Sequence, residues 1–179
     1  MALASPWGMH AIPKTILVAV DFSDSSEAAL EYAVGLAQPL GARLVVVHCY
    51  ELPVYGFPDG ALVASVEVAT RIMNAAQAGL DGMVEKYKDQ VKIDTVLRQG
   101  VAWEEVRAVS EEVGADLVVI GTHGRRGIAR ALIGSVAEKI LRTSVCPVLT
   151  IHVPHHNGKA QSTYKAPASS SMPESPVRK

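Results

Sequence analysis

Aromatic residues are scarce in this chain of 179 residues: Phe, Trp and Tyr together make up 5% of it. Any core must therefore rest on Val, Leu, Ile and Ala. Cysteine is nearly absent as well. Cys49 and Cys146 are too few for a disulfide framework. Both fall in apolar stretches that read as strands, so they read as buried structural thiols, and a reducing, cytoplasmic setting is expected. No apolar run approaches the roughly 18 residues that a membrane span needs. Met1 to Lys14 contains Pro6 and Pro13 and lacks the apolar centre of a secretory signal. Charge of one sign is missing too: 17 basic residues face 18 acidic ones, a net charge of -1. No overall basic field exists to draw in nucleic acid. Neither the Gly-Lys-Ser/Thr of a Walker A loop nor the Gly-x-Gly of a dinucleotide fingerprint occurs where it would be needed.

What is present is an alternation of strand and helix signals. Hydrophobic residues make up 49% and charged residues 20%, a balance that suits a packed globular domain. Thr15 to Val20 is a nearly unbroken β-type run, as expected of a parallel strand buried on both faces. Asp21 to Asp24 reads as a turn. Asp24 and Glu27 fit a capping box, and Ala29, Ala33, Leu36 and Ala37 mark a helical stripe that Pro39 and Gly41 end. Arg43 to Tyr50 is a second strand. Glu51 to Gly60, with its prolines and glycines, is a loop. A long helix is expected from about Leu62 to Lys88, a weaker third strand from Val91 to Gln99, and a helix from Val101 to Val113. Leu117 to Ile120 is the fourth strand. A last helix opens at Gly134-Ser135 and runs to about Arg142. Val145 to Val153 is the fifth strand, and Pro147 within it favours a sheet edge. Residues 1–13 read as an extension, 14–154 as one domain, and 155–179, rich in Ser, Pro, Lys and Ala, as a disordered tail.

Such alternation implies an α/β fold: a five-stranded, doubly wound, mainly parallel sheet with helices on both faces. Ligands in such folds bind beyond the carboxyl ends of the strands, where strand order reverses. The segment from Gly121 to Ser135 leaves a strand at that end. Gly124 and Gly127 allow tight turns and close approach of an anion. Ser135 sits where a helix begins, and free N–H groups and the helix dipole favour negative charge there. Arg125, Arg126 and Arg130 add positive charge. A tight crossover loop would need several glycines as well, so spacing alone leaves phosphate binding and plain loop geometry both open.

The glycine spacing resembles that of the universal stress proteins. Their ATP-binding members carry Gly-x2-Gly-x9-Gly-Ser/Thr after the fourth strand, and Gly121, Gly124, Gly134 and Ser135 match it throughout. The resemblance extends to Ala19-Val20-Asp21-Phe22-Ser23, to His48-Cys49 and to Cys146-Pro147-Val148. It covers about Pro13 to Val153. It implies strand order 3-2-1-4-5, as in adenine nucleotide α-hydrolase-like folds, and ATP, with Mg2+, as ligand. Ala19, Val20 and Asp21 would lie at the nucleotide. Asp21 would reach the ribose and phosphate end or help hold magnesium; its other reading is a turn stabiliser. Cys49 takes a position where main-chain groups bond adenine, and where Val is commoner. Ile120 would pack on base or sugar, or serve as core. Gly121, His123, Gly124 and Arg125 would offer loop contacts, and Gly134, Ser135 and Val136 would meet the phosphates. Ser135 with Glu138 also fits a capping box. His152, His155 and His156 suggest a metal cluster, but they lack a fourth ligand at suitable spacing and read as solvated tail.

The function implied is an ATP-binding switch or sensor in stress response, dimeric through the Val145 to Val153 strand. Two alternatives stand beside it: slow ATP hydrolysis or self-phosphorylation, and a nucleotide-free interaction module. No nucleophile beside His123 suggests dedicated catalysis.

Overall fold

In a computed structural model, the structure describes residues 12–52, 55–56, 62–63, 66–122 and 133–153. The elements in chain order are β1 (Thr15–Val20), α1 (Asp24–Leu40), β2 (Arg43–Tyr50), β3 (Tyr55–Gly56), β4 (Leu62–Val63) and α2 (Val66–Glu85). They continue with β5 (Ile93–Gln99), α3 (Ala102–Glu112), β6 (Leu117–Gly121), α4 (Ser135–Thr143) and β7 (Val148–Ile151). The main sheet runs β5-β2-β1-β6-β7, with every pair parallel. Counted within that sheet, this is the expected order 3-2-1-4-5.

Side chains alternate across the central strands, and each face collects its own core. Ile16, Val18, Leu44, Val46 and Val119 pack under α1 and α2, against Leu30, Ala33, Val34 and Leu80. Leu17, Val45, Val47, Val118 and Ile120 pack under α3 and α4, against Val106, Val109 and Ile140. Both faces of the central strands are thus covered, which is why those strands read as unbroken apolar runs rather than as alternations. Each fully buried Leu or Ile contributes about 1.5–3 kcal/mol. With few aromatics, the protein builds most of its interior from short branched side chains packed on small alanines.

Three local expectations are corrected. The cap of α1 is Ser23, not Asp24: its hydroxyl accepts from Ser26 N at 3.3 Å. Ser, Asp and Ser stand in succession there, and the hydroxyl at the strand exit takes the role. The helix expected from Leu62 begins at Val66. Leu62 and Val63 instead pair antiparallel with Gly56 and Tyr55. The apolar pattern runs through both elements and conceals the boundary between them. Ser135 does not cap α4. Gly134 is the cap residue, without a side-chain bond, and Ser135 is the first helical residue. Glu138 pairs instead with Arg142, at 2.9 Å.

Gly41, at φ 62°, closes α1, and its N–H reaches back to the helix's last carbonyls. Pro39 is tolerated in the final turn. Pro147 leads into the edge strand β7, and its carbonyl accepts from Val118 N at 2.9 Å. The tail from 155 onward, and the extension apart from residues 12 and 13, lie outside the described residues.

Candidate functional site

The strand order reverses between β1 and β6. From β1 the chain crosses to β2 on one side, and β6 lies on the other. Ala19 stands opposite Ile120, and Val20 opposite His48. The residues leaving these three strands therefore share one rim of the sheet.

At the end of β1, Asp21 forms a tight turn. Its Oδ1 accepts from Ser23 N at 3.1 Å and from Ser23 Oγ at 2.5 Å. Asp21 N donates to Ser26 Oγ at 3.3 Å, and that hydroxyl donates to Ser23 O at 2.9 Å. The carboxylate thus stabilises the turn, one of the two roles read from the sequence, and the same turn brings Asp21 to the rim. Phe22 is the one non-glycine residue with positive φ among those described, at 63°. Its ring lies 4.1 Å from that of His48, centroid to centroid. His48 is buried, and its Nδ1 lies 2.7 Å from Val20 O. A carbonyl oxygen only accepts, so Nδ1 carries the proton. In the sequence, Phe22 and His48 stand out only as parts of the resemblance motifs, and neither is given a role at the site there.

Cys49 is half-buried near the end of β2, with Sγ 3.8 Å from Ala102 O. Burial pushes its thiol up to about 12, Glu105 adds to the rise and Arg98 opposes it. Cys146 is buried, and its thiol is raised by burial as well. Both are protonated at neutral pH, in keeping with structural rather than reactive thiols. Ile120 is 3% exposed and packs in the core under α3 and α4, so the core reading accounts for its side chain.

At the end of β6, Gly121 has a packing reason to be glycine. A Cβ there would lie 2.5 Å from Ser25 Oγ and 2.8 Å from the Ser25 carbonyl carbon and oxygen. The start of α1 rests directly on the backbone of this strand. Thr122 N then donates to Ile151 O at 2.9 Å, and Gly134 N donates to Thr122 O at 2.8 Å. The chain that leaves at Thr122 is thus brought back to the same rim before α4 begins. Thr122 Oγ1 also meets His152 Nδ1, at 3.1 Å. His152 is tied to the exit of β6 rather than belonging to a free tail.

Gly134 caps α4 and, having no side chain, makes no side-chain bond to the first amides of the helix. Ser135 and Val136 are exposed there. An uncapped helix start favours an anion. His123, Gly124 and Arg125 lie outside the described residues, as do His155 and His156. Among the described residues, no group of three His, Cys, Asp or Glu side chains is placed to hold a metal ion. No helix of the described residues is long and apolar enough to cross a membrane.

The parallel strand order and its reversal between β1 and β6 place the chain in the class of doubly wound α/β proteins, a class that receives ligands at such a switch point. Within that class, the chain belongs to the universal stress protein family, whose sequence profile matches residues 13–152. A universal stress protein of Thermus aquaticus is 36% identical over 142 residues, which are 77% of this chain and 98% of that one. One from Methanocaldococcus jannaschii is 32% identical over 143 residues, covering 79% and 83%. Among solved structures, the universal stress protein of Archaeoglobus fulgidus in complex with dAMP superposes with a TM-score of 0.55. It is 26% identical, with 79% of this chain and 99% of that one covered.

Proposed function

We propose that this protein binds an adenine nucleotide, ATP with Mg2+, across the rim formed by β1, β2 and β6, and acts as a nucleotide-dependent switch. One observation carries the reading. The Gly134 N–H···O=C Thr122 bond sets the uncapped start of α4 beside the exit of β6, next to the Asp21 turn of the neighbouring strand. Phosphates would take the amides of Ser135 and Val136, and Gly121 and Gly124 would bring backbone close. His123 and Arg125, which adjoin Gly124 in the sequence, would add contacts. The main chain at Cys49, with Ala19 and Val20, would face the base and sugar. The family relative bound to dAMP supports an adenine ligand.

Magnesium fits this site only as the companion of the nucleotide. Asp21 offers one carboxylate whose Oδ1 already holds Ser23. One carboxylate with phosphates and water is how Mg2+ is ordinarily held. When bound, the ion would neutralise phosphate charge; the residues of this chain would orient and enclose the nucleotide. We also place the dimer interface on β7, whose outer edge is open among the described residues.

A thermal melt with Mg-ATP tests the reading. A ligand at a hundredfold its Kd stabilises the native state by about 2.7 kcal/mol, so the midpoint should rise by several degrees. No shift with millimolar Mg-ATP, ADP, AMP or cyclic AMP refutes nucleotide binding.

A further inference from the structure

The Asp21 turn is held from behind by a contact that the nucleotide reading does not use. Phe22 occupies the left-handed region at φ 63°, where side-chain-bearing residues rarely settle without support. Among the described residues, two groups reach its ring. One is the His48 ring, 4.1 Å away and itself fixed by the 2.7 Å bond to Val20 O. The other is helix α2, at Gly79. A Cβ on Gly79 would lie 3.0 Å from Phe22 Cζ and 3.3 Å from Cε1. Glycine inside an exposed helix is unfavourable by about 1 kcal/mol relative to alanine. Gly82, on the same helix, has nothing within 4 Å of its would-be Cβ. Of these two glycines, Gly79 is the one with a neighbour among the described residues that explains it.

We propose that Phe22 is a positioning residue: clamped between His48 and the backbone of Gly79, it sets the Asp21 turn for nucleotide and couples helix α2 to occupancy of the site. This rests on the nucleotide reading above and adds its regulation. Asp21 and Ser23 flank Phe22 directly, so a displaced ring moves both ends of the Asp21–Ser23 hydrogen bonds. In the other direction, a nucleotide that tightens the turn pulls on α2 through the ring. Helix α2 is anchored beside this contact by buried Leu80 and Val84.

The test uses full-length protein, Mg-ATP titration calorimetry, thermal melts, and amide exchange of Ser23 and Ser26 without nucleotide. Gly79→Ala should hold or raise the melting temperature, because alanine favours helix. It should nonetheless weaken Mg-ATP binding about fivefold and speed Ser23 exchange about as much. Gly82→Ala should raise the melting temperature with affinity and exchange unaltered. Phe22→Gly, whose backbone accepts φ 63° freely but which has no ring, should repeat the loss of affinity and protection. If wild-type protein binds Mg-ATP and Gly79→Ala matches it in affinity and exchange, the clamp is overturned. If wild-type protein binds no Mg-ATP, the nucleotide reading falls instead. Exchange then decides the clamp alone: faster Ser23 exchange in Gly79→Ala upholds it, and unchanged exchange overturns it.

Discussion

Gly121→Ala places a methyl group where there is no room for one. The added carbon would sit 2.5 Å from Ser25 Oγ and 2.8 Å from the Ser25 carbonyl carbon and oxygen. The hydroxyl can rotate away; the peptide cannot. Nor can either element retreat. β6 is paired on both sides, to β1 and to β7, with Gly121 opposite Ile151. α1 is fixed by fully buried Ala29, Leu30 and Ala33. Overpacking of this kind costs about 1–3 kcal/mol. Lower chain entropy in the unfolded state offsets roughly 0.4–1 kcal/mol of that. A net loss of about 1–2 kcal/mol lowers the melting temperature by roughly 2–8 °C in a domain of this size. Calorimetry without nucleotide reads this directly, so no ligand effect enters. Gly35→Ala is the control: it lies in α1 with open space at its Cβ, and should be neutral or stabilising. Ser25→Ala added to Gly121→Ala should recover only part of the loss, because the contacts with the peptide group persist. A Gly121→Ala protein melting at or above the wild-type temperature would refute the packing argument and leave phosphate approach as the only reason for glycine.

Two further predictions concern different elements. The carbonyls of Pro147 and Ile151 accept from β6, so strand alternation turns the Thr150 N–H outward to the open edge. Thr150→Pro should therefore convert a dimer to a monomer in sedimentation analysis with little change in melting temperature, and a persistent dimer would exclude pairing along β7. The Cys49 thiol is raised by burial to about 12, above its ordinary value of 9.0. A raised pKa means the folded state favours the protonated form, so this stabilisation is complete below about pH 9 and is lost as pH climbs toward 12. Cys49→Val should flatten the decline in stability between those pH values, as urea titrations would reveal, and an unchanged slope would remove Cys49 as its source.

The architecture was legible because its strands are extreme. Leu17, Val18, Val45 and Val46 are buried from both sides, and no other environment asks for such runs. Gly41 and Gly114, both at positive φ, mark helix ends as glycines there should. The rim was legible through its glycines, but not the reasons for them. Gly121 serves the α1 contact, and that requirement appears only when two segments nearly a hundred residues apart meet. Phe22 reads as part of a turn and His48 as part of a strand, and their ring contact stays hidden for the same reason: contact across strands leaves no trace in spacing. Leu62 and Val63 escaped because two apolar residues before a helix look like its first turn. The caps shifted by one residue, Asp24 to Ser23 and Ser135 to Gly134, because several polar or small residues stand at each entrance and only backbone angles choose between them.

The Gly134-to-Thr122 hydrogen bond has a bearing on how this chain can be altered. It fastens Thr122 and Gly134 to one spot on the sheet through main-chain atoms, so their anchorage does not depend on which side chains stand between them. Selection for a new ligand, or a designer grafting one, thus has a replaceable cassette set on a foundation that need not be rebuilt.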